Sequence, residues 1–331
     1  MNATMENLDS IEAPIQPKGR LHIPVRVRRE SAARERGIAL AVFILPALGT
    51  LFAFYLGWHH GLSALDLGLF ASMYVLTMIG SEGGLHRLFA HRAFRTNPVI
   101  ESIYAILGMM AAQGPLLFWA AVHRRHHATS EQAFDPHSPY IVGEKRITNP
   151  WRGFWHAHMG WMLIPDNSNF ARYVPDIMSR PHLFLLHRLY FVWILLGLAL
   201  PALIGGLLTM SWYGALTGLL WGGFARLFAV HHVIWSSGSW CHLVGTKPYA
   251  TGDESRNNAL FGLLSFGVGW HNNHHAFPGS ARCGLKWWQI DINYYVILLL
   301  EVCGLAHGVR RPTPEMITRR LRASTGSPGQ S

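Results

Sequence analysis

The chain contains four long apolar stretches, and they come in two pairs. The first pair is Gly37–Gly57 and Leu67–Gly84, and the second is Leu189–Leu208 and about Trp212–Ile234. A helix needs roughly 20 residues to cross the hydrocarbon core of a bilayer. The pattern therefore predicts an all-α membrane protein with four transmembrane helices in two hairpins, over about 37–57, 67–84, 189–208 and 212–234.

Two further apolar stretches are interrupted by polar residues. Asn97–Trp119 contains Gln113, Gly114 and Pro115, and Asp291–Gly308 contains Glu301. A charged residue at the centre of a membrane helix is costly, by about 2.5–3.5 kcal/mol even on an insertion scale. We expect both stretches to lie along the membrane surface or against the spanning helices.

Basic residues are distributed unevenly around these spans. Seven precede the first span and eleven lie between Arg87 and Arg188, whereas neither hairpin turn contains one. The positive-inside rule places both termini and the segment between the hairpins in the cytoplasm. The prediction is a multi-pass protein, of the inner membrane if the source is bacterial.

The same pattern divides the chain into three parts. Residues 1–36 are polar and basic, without the early apolar core of a signal peptide, and are predicted to be a disordered cytoplasmic segment. Residues 37–310 form the main domain, and 311–331 form a C-terminal tail.

Composition agrees with a lipid environment. Of 331 residues, 50% are hydrophobic and 14% are charged, about half the charged share of soluble domains. The formal net charge of +10 is explained by the topology and by contact with anionic membrane lipid, so no nucleic-acid partner is predicted. Three cysteines without CxxC spacing give no disulfide framework.

Histidines are clustered on the predicted cytoplasmic side. The three clusters are HRLFAH (His86 and His91), HRRHH (His123, His126 and His127) and HNNHH (His271, His274 and His275). Residues i, i+3 and i+4 share one face of a helix, so each HxxHH directs its imidazoles to one or two adjacent points. The i, i+5 spacing of the first cluster diverges on a regular helix, so it is expected where the second span ends or bends.

Eight clustered imidazoles indicate a transition-metal site. Imidazole suits iron, zinc, copper and nickel, whereas magnesium and calcium prefer oxygen ligands. Eight are too many for one tetrahedral ion and suit two metals. Neither the HExxH of zinc hydrolases nor the ExxH of soluble diiron bundles is present.

With these clusters in this order, the sequence resembles the membrane fatty acyl desaturases, in particular the stearoyl-CoA, Δ9-type group. The flanking residues extend the resemblance over roughly 40–310. They are His91–Phe94, Asp135-Pro136-His137, His158 with Gly160 and Trp161, Asp253 with Ser255, Arg256 and Asn257, and His275–Pro278.

The resemblance implies four spanning helices with a cytoplasmic helical cap, two iron ions and a buried acyl tunnel. It makes His242 a ninth ligand beside the eight clustered histidines. It implies an O2-dependent oxidoreductase that introduces a cis double bond, of Δ9 type, into a thioester-linked or lipid-linked acyl chain. The substrate carrier is CoA, acyl carrier protein or a phospholipid, and the electrons come from an external ferredoxin, or from cytochrome b5 with its reductase.

Further residues are candidates for supporting the ligands or the substrate. Asp135 and Asn257 are candidates through their motifs, and Trp155 and Trp161 through their position near the clusters. Arg124 and Arg125 are candidates for the phosphates of a thioester carrier, against the simpler interpretation of a topology signal.

The sequence departs from the family pattern at two positions. Gly238 replaces an asparagine that reaches one metal through water, and Val268 replaces an acidic residue before the third cluster. These departures keep alternatives open. One is a related diiron hydroxylase or acetylenase acting on an acyl chain, and the other is a membrane metal-binding protein without enzymatic activity.

Overall fold

The computed structural model describes residues 25–26 and 29–325, and these are mostly helical. The α-helices of the described residues are α1 (Arg29–His60), α2 (Ala64–Met78), α3 (Pro98–Met109), α4 (Leu116–Thr129), α5 (Pro150–His158), α6 (Phe170–Tyr173), α7 (Pro175–Met178), α8 (Pro181–Arg188), α9 (Tyr190–Thr209), α10 (Trp212–Gly218), α11 (Arg226–Gly238), α12 (Trp240–Leu243), α13 (Ala259–Leu264), α14 (His271–Ala276), α15 (Ile292–Val302) and α16 (Pro314–Thr325).

Shorter elements connect these helices. A first π-helix, Ile79–Ala90, continues α2, and a second, Leu219–Ala225, joins α10 to α11; Gly160–Leu163 is a 3₁₀-helix. Three antiparallel strand pairs are β1 (Val25–Arg26) with β5 (Asp166–Asn167), β2 (Arg95–Thr96) with β6 (Ala306–His307), and β3 (Ile141–Val142) with β4 (Lys145–Arg146).

Three helices in the described part of the chain are long and apolar enough to span a membrane: Glu30–His60, Ala64–Ala90 and Tyr190–Thr209. They correspond to the first three predicted spans. The fourth predicted span is helical from Trp212 to Gly238, but it is not one of these three candidates. Its sequence carries Arg226 and several glycines, which dilute its apolar character.

Both hairpins have short turns with clear local causes. Ser63 and Asp66 form a reciprocal capping box that starts α2. Met210 adopts a left-handed conformation with φ of 48°, which ends α9, and Ser211 then caps α10. Each hairpin therefore closes within a few residues.

The second apolar helix packs closely against α3, which positions the first histidine cluster. A Cβ atom on Gly80 would lie 2.3 Å from the backbone nitrogen of Gly108, and one on Gly84 would lie 2.9 Å from Cβ of Tyr104. Only glycine permits this approach. The contact leads into the largest apolar cluster of the described residues, which includes Leu85, Phe94 and Leu116.

Arg226 is fully buried and links helices through backbone carbonyls, with no carboxylate partner among the described residues. Its guanidinium donates to the carbonyls of Gly222, Met110 and Gly197 at 3.1, 2.8 and 2.7 Å. These acceptors lie on the second π-helix, at the end of α3 and on α9, so the residue joins the two arms of the second hairpin to α3.

Of the two stretches predicted to lie on the membrane surface, the first forms α3 and the start of α4, and the second contains α15. The predicted interruption at Gln113–Pro115 separates α3 from α4. Most of the predicted N-terminal segment lies outside the described residues, and residues 29–36 already belong to α1. In the C-terminal tail, α16 is helical, and residues 326–331 lie outside the described part.

Candidate metal centre

The first histidine cluster lies at the end of the first π-helix. A π-helix closes i→i+5 hydrogen bonds, and the amide of His91 donates to the carbonyl of His86 at 3.0 Å. The wider turn brings residues five apart onto nearly the same face, and the two rings lie 4.7 Å apart. The bend expected at this cluster is therefore a change of helix type.

The other candidate ligands lie on three short or terminal helical segments. His123, His126 and His127 occupy the last two turns of α4, and the HNNHH cluster forms most of α14. His242 lies on α12, which follows a break in the helix at Ser239. Both HxxHH clusters are thus helical, as their spacing predicts.

These side chains form two adjacent groups, and within each group one potential ligand atom per residue lies within 4.8 Å of every other. The five-histidine group is His86, His91, His123, His127 and His274, and the four-histidine group is His126, His242, His271 and His275. All nine predicted ligands lie in one group or the other. The rings of His127 and His275, one from each group, are 4.6 Å apart.

Within each group the Nε2 atoms converge. Nε2 of His274 lies 3.1 Å from that of His86 and 2.9 Å from that of His127. The His91–His123 distance is 2.7 Å and the His242–His271 distance is 3.2 Å. Ligand nitrogens about 2.0–2.1 Å from a zinc-sized ion, at right angles to each other, are about 3 Å apart, so this spacing fits a shared cation.

Carboxylates hold the opposite nitrogen of three rings in the four-histidine group. Nδ1 of His126 donates to Asp135 at 2.9 Å. Nδ1 of His242 donates to Glu131 at 2.8 Å, and Nδ1 of His275 donates to Asp253 at 2.6 Å. Because a carboxylate only accepts hydrogen bonds, each neutral ring keeps its lone pair on Nε2.

The five-histidine group is supported less strongly. The carboxylate of Glu82 lies 3.1 Å from Nδ1 of His86, although the two are not aligned as a hydrogen bond. Sγ of Cys283 lies 4.0 Å from Nδ1 of His274, and a thiol is a weak hydrogen-bonding group.

The residues present fit two divalent metal ions. Nε2 of His126 and Nε2 of His275 are buried and have no hydrogen-bond partner in the described part of the chain, as expected of nitrogens directed at a cation. The four carboxylates that contact the ligands would balance the four positive charges of two divalent ions. An unpaired buried charge is costly, so this balance favours occupancy by metal.

Burial also keeps the ligands in the required protonation state. Burial and the neighbouring imidazoles lower the pKa of His91, His123, His127, His271 and His274 well below its ordinary value. Metal binding requires neutral imidazole. These rings are neutral at pH 7 and need lose no proton to bind metal.

A buried polar network fixes the third cluster. Asn257 accepts from the backbone of Asn273 at 3.0 Å and donates to its side chain at 2.7 Å. Arg87 bridges Asp291 at 2.8 Å and the carbonyl of Ala281 at 2.7 Å. Asn257 thus positions α14, and Arg87 joins the segment after α14 to the second apolar helix.

A small cavity of about 70 Å³ lies beside the ligands. His123, His126 and His271 form one side of it, and aromatic residues including Trp119 and Trp161 form another. The ring of Trp119 stacks on His123 with centroids 5.0 Å apart. Trp161 therefore lies in the wall of the cavity beside the ligands, and its role in a tunnel stays a prediction.

Gly238 also lines this cavity, opposite His137. A Cβ atom on Gly238 would lie 3.0 Å from Nδ1 of His137, and the His137 ring stacks on His126 with centroids 4.2 Å apart. The space left by the glycine thus faces His137, which the sequence resemblance includes in a flanking motif but not among the site residues. Val268 is buried and offers the third cluster no polar group.

Three of the residues predicted to contact the substrate or line its tunnel do not line the cavity. Arg124 bridges Asp176 at 2.7 Å, and Arg125 bridges Asp166 at 2.6 Å. Both guanidiniums also donate to backbone carbonyls, so they serve the fold and are not available for a carrier phosphate. Trp155 is about half exposed and is not part of the cavity wall.

Sequence reasoning missed two carboxylates near the ligands. Glu82 precedes His86 by four residues, which puts the two on one helical face, so this pairing had a detectable signal. Glu131 reaches His242 across 111 residues of sequence, and no spacing rule indicates that contact.

Comparison with known proteins yields consistent matches. The family described as fatty acid desaturase matches residues 62–299. The chain is 47% identical over 282 residues to a hex-5-enoyl-(acyl-carrier protein) acetylenase of Moorena producens, covering 85% of this chain and 88% of that protein. It is 36% identical over 250 residues to an sn-1 stearoyl-lipid 9-desaturase of Synechocystis, covering 74% and 72%. It is 33% identical over 304 residues to an icosanoyl-CoA 5-desaturase of Limnanthes douglasii, covering 90% and 78%.

Proposed function

The chain belongs to the fatty acid desaturase family and is an oxidoreductase acting on fatty acyl chains, and from this premise we propose that it is a diiron enzyme that uses O2 to introduce unsaturation. The observation that carries the proposal is the pair of convergent histidine groups, five and four strong. Family membership argues against a purely metal-binding role.

The chain's own residues have defined tasks in this proposal. When bound, two irons would activate O2 and supply the oxidant for an unactivated methylene group, which is chemistry that side chains cannot provide. The nine histidines would hold the metal, and Asp135, Glu131 and Asp253 would orient three of them. The aromatic wall around Trp119 and Trp161 would place the acyl chain and limit access of water.

The cellular arrangement is part of the proposal. We place both termini and the metal centre on the cytoplasmic side, with four spanning helices and a cytoplasmic cap. The fourth span would be the continuous helical stretch from Trp212 to Gly238. The electrons would come from a separate protein, ferredoxin or cytochrome b5 with its reductase.

The main candidate reaction is formation of a cis double bond, and the sequence resemblance suggests position Δ9. Relatives at 34–36% identity include proteins named as 9-desaturases of stearoyl lipid, as well as proteins with other positional names. The double-bond position and the carrier are therefore open to experiment within one chemistry.

A second candidate is triple-bond formation in a short chain on acyl carrier protein. The relative at 47% identity carries an acetylenase name with that substrate. The cavity of about 70 Å³ is also far smaller than the roughly 300–1,000 Å³ of pockets that enclose a drug-sized ligand. Trp235 and Gln113 close part of its wall through a 3.1 Å hydrogen bond, which favours a short chain.

The test is expression in a host that lacks acyl desaturases, with mass spectrometry of acyl carrier protein, CoA and lipid pools. New double or triple bonds that vanish in His126→Ala would support the proposal, and their position and carrier would separate the two candidates. Hydroxylated chains alone would contradict both. Fewer than one iron per chain after iron-replete expression would contradict the diiron site.

A further inference from the structure

A second and larger concavity lies on the outside of the metal centre. It is a groove of about 620 Å³ between the segment that follows α14 and helix α16. Its apolar lining includes Phe277, Val309 and Met316, and Met316 is 41% exposed. It shares no lining residue with the small cavity beside the ligands.

Four arginines line this groove: Arg310, Arg311, Arg319 and Arg320. Its lining includes no carboxylate. Arg311 is paired with Glu301, whereas Arg319 and Arg320 are exposed and have no ion-pair partner in the part of the chain that the structure describes. The groove therefore combines an apolar floor with unneutralised positive charge.

The groove is also adjacent to both histidine groups. Arg310 donates to the backbone carbonyl of His91 at 3.5 Å and, more closely, to that of Arg92. His91 belongs to the five-histidine group. On the other side, Phe277 is two residues from His275, which belongs to the four-histidine group.

A substrate and an electron donor have different spatial needs. The acyl carbon must reach the metal itself, and the small cavity has ligand rings in its wall. An electron donor needs only to dock close to the ligands, and it must not block the substrate. A groove outside the ligands, with no lining residue in common with the cavity, meets the second need.

We propose that this groove is the docking site of a small acidic one-electron carrier protein of the ferredoxin type. The inference rests on the proposed function. Forming one double bond removes two hydrogens from the chain and reduces O2 to two waters, which consumes two protons and two electrons from two reduced carriers. Complementary charge steers such weak encounters, and the arginines supply that charge.

The groove's concave form argues against its two main rivals. A flat anionic membrane surface contacts the outermost side chains, whereas these arginines line a recess that a protruding acidic side chain can enter. An acyl carrier protein would need a path for its chain into the small cavity, with which the groove shares no lining residue. Lipid and acyl carrier protein are therefore separate outcomes of the test.

The test compares the intact protein in neutral-lipid nanodiscs with the double variant Arg319→Glu/Arg320→Glu. A plant-type [2Fe–2S] ferredoxin is the probe, and its Kd is measured by biolayer interferometry. Ionic strength is varied between about 0.1 and 1 M, which shortens the Debye length from about 10 to 3 Å. We expect roughly tenfold weaker binding of the variant at low salt and a smaller salt dependence.

Two controls accompany this variant. Lys145→Glu/Arg146→Glu reverses two exposed charges outside the groove, and it should leave the ferredoxin Kd within about twofold. Arg319→Lys/Arg320→Lys should retain most of the affinity because it keeps the charge. Turnover driven by dithionite should be the same in the groove variant and the unmodified protein.

Several results would overturn the proposal. They are absence of ferredoxin binding to the unmodified protein, equal weakening by the control pair, or an unchanged Kd in the groove variant. An unchanged Kd with weaker binding to anionic vesicles would assign the groove to lipid, and one with a raised KM for acyl carrier protein would assign it to the substrate carrier. If dithionite-driven turnover gives no unsaturated product, the proposed function fails, and the ferredoxin Kd still tests the groove.

Discussion

The two histidine groups differ in how their rings are supported. In the four-histidine group, three rings donate Nδ1–H to carboxylates at 2.6 to 2.9 Å. In the five-histidine group, Glu82 is the one carboxylate near a ring nitrogen in the described part of the chain, at 3.1 Å and without hydrogen-bond alignment. A carboxylate on Nδ1 raises the basicity of Nε2. The five-histidine group would therefore bind metal through the number of its ligands, and the four-histidine group through their greater basicity.

The number of ligands alone therefore does not decide which of the two groups binds its metal more tightly. The four-histidine group has one imidazole fewer, so its coordination shell is the more open. It also contributes two rings, His126 and His271, to the wall of the small cavity. Its strong carboxylate support compensates for the missing ring, and each of its ligands should matter more.

The largest expected effect is therefore the loss of one ligand from the four-histidine group. His126→Ala and His91→Ala should both lower activity by more than about 100-fold, beyond the 10–100-fold typical of supporting residues. His126→Ala should lose about one of two irons, and His91→Ala should keep more of its metal because four imidazoles remain. Iron per chain is measured by mass spectrometry. Equal loss of iron in both variants would show that the two histidine groups do not differ in how much each ligand matters.

The next effect concerns the carboxylates. Asp253→Asn should lower metal affinity or activity by about 10–100-fold, because Asp253 accepts a 2.6 Å bond from His275. The Asp253 carboxylate is ionised at pH 7. Burial raises its pKa, but hydrogen bonds from His275, Ser255 and Thr251 hold that pKa well below its usual range. Glu82→Gln should cost less than about tenfold.

A chelator competition titration of both variants measures this difference. A Glu82→Gln loss equal to that of Asp253→Asn would show that the poorly aligned contact supports its ring as well as a short hydrogen bond does. Far-UV circular dichroism of both proteins checks that neither change disturbs the helices.

Sequence reasoning reached the ligands because helical spacing is local information. HRRHH and HNNHH each place three rings on one side of a short helix, and the structure has helices there. The spacing could not say which rings share a metal. His126 and His127 are neighbours in sequence, yet they belong to different groups, and only packing between α4, α12 and α14 decides that.

Other features depended on packing from the start. The first π-helix packs on α3 through a contact in which Gly80 and Gly108 approach too closely for a side chain. The contact of Glu131 with His242 depends on a loop that meets a distant helix. In the sequence Arg124 and Arg125 look like free basic residues, but in the fold they are paired with Asp176 and Asp166. Charge can be read from sequence, but neutralisation by a distant partner cannot.

The third prediction uses pH to distinguish two ligands, His91 and His126, in the metal-free protein. His91, His123, His127 and His274 of the five-histidine group have pKa values lowered well below the ordinary value, first by burial. Below pH about 6.5, these histidines bind protons in the unfolded chain but stay neutral in the folded protein. Stability should therefore fall with decreasing pH, by up to about 1.4 kcal/mol per pH unit for each such ring.

His126 should act in the opposite direction. Burial lowers its pKa, but the charge of Asp135 outweighs burial and the net pKa is raised. His91→Phe should therefore flatten the pH dependence of the Tm between about pH 5 and 7, and His126→Phe should not. Differential scanning fluorimetry after chelator treatment measures both, and a flatter profile only in His126→Phe would reverse the assignment.

The smallest effect is expected at the one thiol beside a ligand. Cys283 Sγ lies 4.0 Å from Nδ1 of His274, and burial raises the pKa of this thiol to about 12, so at pH 7 it offers only a weak, neutral contact. Cys283→Ala should change metal affinity by less than about threefold, well under the 10–100-fold of a carboxylate. The matched variant Cys283→Asp would give His274 a carboxylate like those of the other group. If the groups differ because of their carboxylates, it should raise metal affinity at the five-histidine group in the chelator titration, whereas weaker binding would mean that the centre does not tolerate a fifth buried carboxylate.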